Sequence, residues 1–297
     1  MTLQQLETFV QIVNLGSFTK AGQNLSLTQS AISHIIASFE EELGFNLLYR
    51  NRTGVSLTNE GLKIYEYALD ILNKASLIKQ EAASILGMDS GLLRVGSFPS
   101  VSSEILPNII LNYQKKYPNI DLKIFEGTYD EIEDWISSGT IDLGFSANPS
   151  KGLDFIPLWN DNLVVITNKE HPLSFKNSFS MKDLESYPFI MSKSGCDLLI
   201  KKIFKENNIN PKIKFEIENN HTILSMVSKG LGVSIVPEMI LSFNSFKLNV
   251  IKLTPNYFRN IGLLIRSYNT TSPAALSFIK ELEDFNYFTR NSESIFL

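Results

Sequence analysis

Cysteine is almost absent from this 297-residue chain. The single residue, Cys196, excludes an internal disulfide and any cluster built from several thiolates, and it fits a reducing compartment. Long apolar runs are missing as well. None approaches the roughly 20 residues a membrane helix requires, so no membrane partner is expected. Positive charge is not in excess, since 27 Lys and Arg stand against 31 Asp and Glu, a net charge of −4. That balance excludes a polybasic coat for nucleic acid. His34, His171 and His221 are far apart in sequence, and no HExxH, CxxC, EF-hand loop, GxGxxG, GxxxxGK[ST] or Gly-x-Ser-x-Gly pattern occurs. No metal, no cofactor and no enzymatic chemistry are therefore expected. The first thirteen residues mix polar with apolar side chains and carry Glu7, which is unlike a signal peptide. The expectation is a soluble, cytoplasmic protein. What is present is an ordinary globular composition, 43% hydrophobic and 20% charged, enough for two or three compact units.

Residues 1 to about 58 read as short helices and tight turns. Leu3, Leu6, Phe9, Val10 and Val13 recur at helical spacing, and Gly16 ends that helix. Ser17 caps a second helix, and Thr28 caps a third running to about Leu43. In the third, Ile32, Ile36, Phe39 and Leu43 form the buried stripe, while Gln29, Ser30, Ser33, His34 and Ala37 form a small polar face. A short hairpin follows, with Arg50 and Arg52 near its tip. This is a winged helix-turn-helix pattern, the turn unit spanning about 18–37. Residues 59–88 read as a long helix. Ile64, Ala68, Ile71, Ala75, Ile78, Ala82 and Ile85 alternate steps of four and three, a heptad seam that favours pairing with a second copy.

Beyond Gly91 the pattern becomes strand alternating with helix, which predicts a mostly parallel α/β sheet with covered faces in two lobes. The first lobe takes 91–161 and 266–297, the second 162–265, and together they make a 91–297 ligand-binding unit. Ligands bind such folds at the carboxyl ends of strands.

The polar face of the third helix starts at a helix N-terminus, where free N–H groups favour a phosphate. Gln29 suits a bidentate pair with adenine, and Ser30, Ser33 and His34 can reach base edges or phosphates. Ser17 and Thr28 lie at the two helix starts on that side, and Arg50 and Arg52 suit backbone or minor-groove contact. Against this stands the charge of 1–58, where three cationic side chains meet four glutamates. One module alone should bind weakly, and copies joined through the seam would have to act together.

These residues resemble the LysR-type transcriptional regulators over essentially the whole chain. The resemblance is carried by Leu6-Glu7-Thr8-Phe9, Gly16 to Ala21, Leu27-Thr28-Gln29-Ser30-Ala31-Ile32-Ser33, Glu41 to Gly44, Leu47 to Arg50 and Leu57 to Gly61. Leu106-Pro107, Gly139 with Ile141 to Gly144, and Gly230 to Val233 leading to Pro237 continue it. Ser30 stands where many relatives carry proline, and His34 where arginine is common. The resemblance implies a winged helix-turn-helix with a long linker helix, followed by a two-lobed domain like a periplasmic binding protein. It implies a homodimer or homotetramer on double-stranded promoter DNA, with RNA polymerase as a further partner and a small effector as input. The family's effector cleft maps onto Ser100, Ser102, Thr128, Ser146, Cys196 and His221. Hydroxyls and helix starts converging there suggest a carboxylate or another small anion. Cys196 also resembles, by position, the reactive cysteine of the peroxide-sensing branch, though the second cysteine of that branch is missing, so a redox input is an alternative. An enzyme on the two-lobed fold is a weaker one, with no nucleophile–base pair to support it.

Overall fold

The computed structural model describes residues 1–51, 54–87, 89–148, 150–175, 179–193, 195–242 and 246–285. The first unit contains α1 (Leu3–Leu15), α2 (Phe18–Asn24) and α3 (Gln29–Leu43). Each starts on a hydroxyl: Thr2, Ser17 and Thr28 accept the N–H of Gln5, Lys20 and Ala31. The turn between α2 and α3 is tight, with Leu27 N–H donating to Gly22 O at 2.8 Å. A Cβ at Gly22 would lie 2.7 Å from Leu27 O, so the turn requires glycine. Leu6, Phe9, Ile12, Ala21, Ile32, Ile36 and Phe39 fill the core, Phe9 meeting Phe39 edge to face. β1 (Leu48–Asn51) and β2 (Gly54–Leu57) pair antiparallel as the wing. Arg52 lies outside the described residues.

Next comes α4 (Asn59–Ile85), a helix of 27 residues. Its seam is divided between two environments. Ala68 is buried, and Ile64 and Ile71 pack partly against the helix-turn-helix core, whereas Ile78 and Ile85 are 71% and 83% exposed. The first half thus serves its own domain, and only the second half is left for another chain. No helix among the described residues is long and apolar enough to cross a membrane.

The remaining elements are β3 (Ser90–Ser97), α5 (Pro99–Glu104), α6 (Leu106–Lys116), β4 (Asn119–Glu126), α7 (Tyr129–Ser138), β5 (Leu143–Ser146) and β6 (Asp154–Asn168). After them come β7 (Pro188–Ser192), α8 (Asp197–Glu206), β8 (Lys212–Ile217), α9 (Asn220–Ser228), β9 (Ser234–Pro237), β10 (Leu248–Lys252), β11 (Phe258–Ile265) and α10 (Pro273–Asp284). α5 and α6 meet at Ile105, because Pro107 lacks the N–H needed to continue the first helix.

The expected mostly parallel sheet is mixed instead. β3 pairs parallel with β4 and β5, and β7 with β8, but β6 and β11 run antiparallel to every neighbour. β6 is a single strand of 15 residues shared by both lobes: its first part, Asp154–Asn162, pairs with β11, and its last part pairs with β9 and β10. β11 also corrects the lobe division expected from the sequence. Ile261, Leu263, Leu264 and Ile265 lie in the first lobe's core beside Leu93, Val95 and Phe145, so the chain has returned to that lobe by Ile261, not near residue 266. The second lobe is built on Leu163, Phe189, Met191, Ile200 and Ile235, with a further cluster around Ile166, Ile190, Ile223 and Val236. α4 docks on the first lobe through polar contacts. Asn73 Nδ2 donates to Gly139 O at 2.6 Å, Gln80 Nε2 donates to Leu92 O at 3.2 Å, and Asp70 pairs with Arg266.

Candidate nucleic-acid interface and ligand cleft

The buried stripe of α3 turns its other side outward. Thr28, Gln29, Ser30 and His34 are exposed and Ser33 is half-buried. Gln29 Nε2 donates to Ser33 Oγ at 3.1 Å, and the hydroxyls of Thr28 and Ser30 share a hydrogen bond of 3.0 Å. These short polar groups keep one another oriented at the start of the helix, where the first amides point outward. Ser17 caps α2 through the Lys20 N–H. Arg50 is engaged on one side, its guanidinium 4.8 Å above the Phe18 ring and 3.2 Å from Glu40 Oε2. Glu40 also accepts the N–H groups of Leu47 and Leu48, so one carboxylate braces the wing against α3.

The second site is the cleft between the lobes. At its floor β6 and β11 run side by side, and Arg259 stands directly opposite Asp161. Arg259 is 4% exposed and Asp161 1%, yet each charge is met. Arg259 Nε and Nη2 reach Asp161 Oδ2 at 2.9 and 2.7 Å, Nη1 donates to Tyr129 OH at 3.0 Å, and Nη2 donates to Ser100 Oγ at 2.8 Å. Cys196 Sγ lies 3.7 Å from Nη1, and the Phe98 ring stacks 5.0 Å away. Burial opposes the charge on Arg259, but Tyr129, Cys196 and Asp161 outweigh it and move its pKa further up. Burial pushes the Cys196 thiol up, more than the guanidinium pulls it down.

Beside this floor opens a cavity of about 390 Å³ walled by α5, the end of β4, the start of α9 and the segment around Phe246. Of the six positions expected in the cleft, Ser100 and His221 line it. The other four lie elsewhere. Ser102 has a buried hydroxyl without a hydrogen-bond partner, and Thr128 caps α7 in a reciprocal pair with Glu131. Ser146 is buried and holds the turn at Asn148, and Cys196 is buried at the start of α8.

Comparisons with known proteins agree with this layout. Residues 3–62 match the family described as bacterial regulatory helix-turn-helix protein, lysR family, and residues 87–286 match the LysR substrate binding domain. The chain belongs to the LysR family. A relative from Bacillus subtilis (strain 168), the uncharacterized HTH-type transcriptional regulator YvbU, is 33% identical over 94% of this chain and 97% of its own length. The structure of full-length BenM is 27% identical, with a TM-score of 0.62 and 98% of each chain covered. An H2O2-bound variant of OxyR from Corynebacterium glutamicum is 25% identical, with a TM-score of 0.61 and coverage of 97% and 93%.

In this LysR-type regulator the sequence reading missed the groups that organise the cleft. Asp161 and Arg259 are 98 residues apart, and only the strand register brings them together. Each is a charge just ahead of an apolar strand run, Leu163–Ile166 or Ile261–Ile265, which is the one signal the sequence carries for them. Glu104 was also missed. Its side chain lines the cavity at 7% exposure, with Oε2 lacking a hydrogen-bond partner. Burial pushes its carboxyl up to about 7, the hydroxyls of Ser103 and Ser242 pull it partly back, and the charge of Asp161 adds to the rise.

Proposed function

We propose that this LysR-type transcriptional regulator reads double-stranded promoter DNA with the exposed side of α3, and that a small effector in the inter-lobe cleft controls it. The observation that carries the reading is the oriented polar cluster Thr28, Gln29, Ser30, Ser33 and His34 at the open start of a helix whose other side is core. Gln29 is assigned to a base edge, Ser30, Ser33 and His34 to base edges or phosphates, and Ser17, Thr28, Arg50 and Arg52 to the backbone. Because residues 1–58 carry no net positive charge, affinity comes from paired modules. The exposed Ile78 and Ile85 on α4 supply the pairing surface, giving a homodimer and, through it, a homotetramer.

The division that goes with this reading is a DNA-binding unit over 1–58, a linker helix over 59–88 and an effector unit from 91 onward. The protein works in the cytoplasm beside RNA polymerase, as a switch and not as an enzyme. Effector binding biases two arrangements of the lobes and, through the contacts of α4 with the first lobe, the spacing of paired α3 helices. Mobility shift of the full-length protein on duplexes from its own upstream region tests the core of this. Binding that competes with excess unrelated duplex is expected, and absence of binding even at low ionic strength overturns it.

A second reading, oxidation of the Cys196 thiol, rests on its place 3.7 Å from Arg259, although burial moves its pKa up on balance. Peroxide treatment that alters operator binding of the native protein but not of Cys196→Ser would support it, and an equal response from both would overturn it.

A further inference from the structure

The cleft has a charge character that the expected anion does not match. Among the described residues its lining holds two carboxylates, Glu104 and Glu126, and no lysine or arginine. The nearby cation, Arg259, is committed to Asp161, Tyr129 and Ser100. Ser100 Oγ accepts from that guanidinium and keeps its O–H to donate, so it offers a ligand a hydroxyl but no charge. The amide side chains of Asn219 and Asn220 and the imidazole of His221 complete the polar rim, and His221 meets the Phe246 ring at 5.0 Å. Leu224, Ile240 and Phe246 form the apolar wall.

Glu104 is the anomaly in this arrangement. Ser103 Oγ reaches its Oε1 at 3.4 Å and the Ser242 hydroxyl also acts on the carboxyl, but its buried Oε2 has no partner within ordinary hydrogen-bond distance. A buried carboxylate oxygen left unmatched costs free energy unless it is protonated or a cation comes to it. The aromatic face of Phe246 and the second carboxylate, Glu126, suit the same visitor.

We infer that the effector of this regulator is a small organic cation, an ammonium or amidinium on a short carbon frame, and that Glu104 is the group that binds it. The inference rests on the inter-lobe cavity being the effector site. The cavity volume suits a compact molecule, whose carbon frame packs on Leu224, Ile240 and Phe246 while the charged end meets Glu104 and Glu126. Binding drives Glu104 to its ionised form, so it releases a proton and strengthens as pH rises through neutrality. The other charged or titratable groups facing Glu104 are Glu126 and His221 across the cavity, Asp161 and Arg259 on the floor, and Glu238 on the segment packed against α5. Glu126→Gln and His221→Gln variants separate their contribution.

Titration calorimetry and thermal unfolding of the full-length protein test this. The cationic probes are 1,4-diaminobutane, 4-guanidinobutylamine and 2-phenylethylamine, and the anionic probes are succinate and benzoate. At least one cation is expected to bind and raise the melting temperature. Glu104→Gln should weaken it by about tenfold or more, the loss expected for a buried charge-assisted hydrogen bond. Should that variant fold poorly, weakening by Glu126→Gln together with proton release on binding to the native protein carries the same weight. The inference is overturned if no cation binds, if Glu104→Gln binds cations as well as the native protein does, or if only anions bind. Anion binding that disappears in Ser103→Trp, which fills the cavity, would remove the charge assignment and leave the cleft as the effector site. Probes of either sign that bind Ser103→Trp unchanged would overturn the cleft reading as well.

Discussion

Arg259 and Asp161 are cross-strand partners at the point where β6 and β11 pass from one lobe to the other, with Nη2 and Oδ2 2.7 Å apart. The pair is sealed from solvent, and Arg259 uses its remaining donors on Tyr129 and Ser100 of the first lobe and approaches Cys196 of the second. Removing one member of such a pair leaves the other charge buried and uncompensated. Arg259→Ala is expected to destabilise the effector unit by about 3–5 kcal/mol, more than the double change Arg259→Met with Asp161→Leu, which removes both charges. Denaturant unfolding of the two variants against the native chain measures the difference.

Gln29→Ala removes the side chain assigned to a base edge while leaving the core stripe of α3 untouched. Specific operator binding should weaken by about 1–3 kcal/mol, with little change on unrelated DNA. Fluorescence anisotropy on both duplexes, at one fixed salt concentration, gives the comparison.

The Glu104 carboxyl sits at about 7 in the folded chain against an ordinary 4.5. The native state therefore binds more protons than the unfolded state between those values, and stability falls as pH rises from the ordinary value through about 7. Glu104→Gln should flatten that part of the profile and be the more stable protein above neutrality in the absence of ligand. Melting temperatures taken from pH 5 to pH 8 read this directly.

Cys196 is buried, and burial moves its pKa upward. A thiol reagent such as dithiobis(nitrobenzoate) should modify it slowly in the native protein and rapidly once denaturant opens the second lobe. Fast native reactivity would favour the redox input.

Ile78 and Ile85 stand out from α4 beside Leu86, which is also exposed. Ile78→Lys with Ile85→Lys should weaken self-association about tenfold or more for each apolar side chain lost from an interface, and leave the fold of each chain intact. Analytical ultracentrifugation at micromolar concentration distinguishes monomer from dimer.

Much of the first unit was legible because each helix there starts on a hydroxyl, α1 and α3 end on glycine, and α1 and α3 carry clean apolar stripes. The bounds of α7 and β8 also agree with the periodicity, Tyr129–Ser138 and Lys212–Ile217. β6 carries a clear strand pattern only over Leu163–Thr167. Pro157 and the polar run Asn160-Asp161-Asn162 break the apolar pattern in the part that pairs with β11. β10 went unread, and the chain's return to the first lobe was expected only from about residue 266, just past β11. The Arg259 that would mark β11 as a functional strand gains its meaning only from residues about 60 to 160 positions away, Cys196 and Ser100 among them. Of the cleft, Ser100 and His221 were found because they follow strand ends, which the pattern marks. Glu104 was hidden, since nothing in the sequence distinguishes a carboxylate turned inward at a helix end from one in water.

The wing and the start of α4 are locked together. Thr58 Oγ1 donates to Asn46 O at 2.9 Å while accepting the Gly61 N–H at 2.8 Å, and a Cβ at Gly61 would lie 2.1 Å from Leu47 O. With no room for relative sliding, any rotation of α4 about its axis turns the whole DNA-facing unit by the same angle. A lever arm beginning at residue 58 is the expected result, with the first lobe gripping it at Asn73 and Gln80.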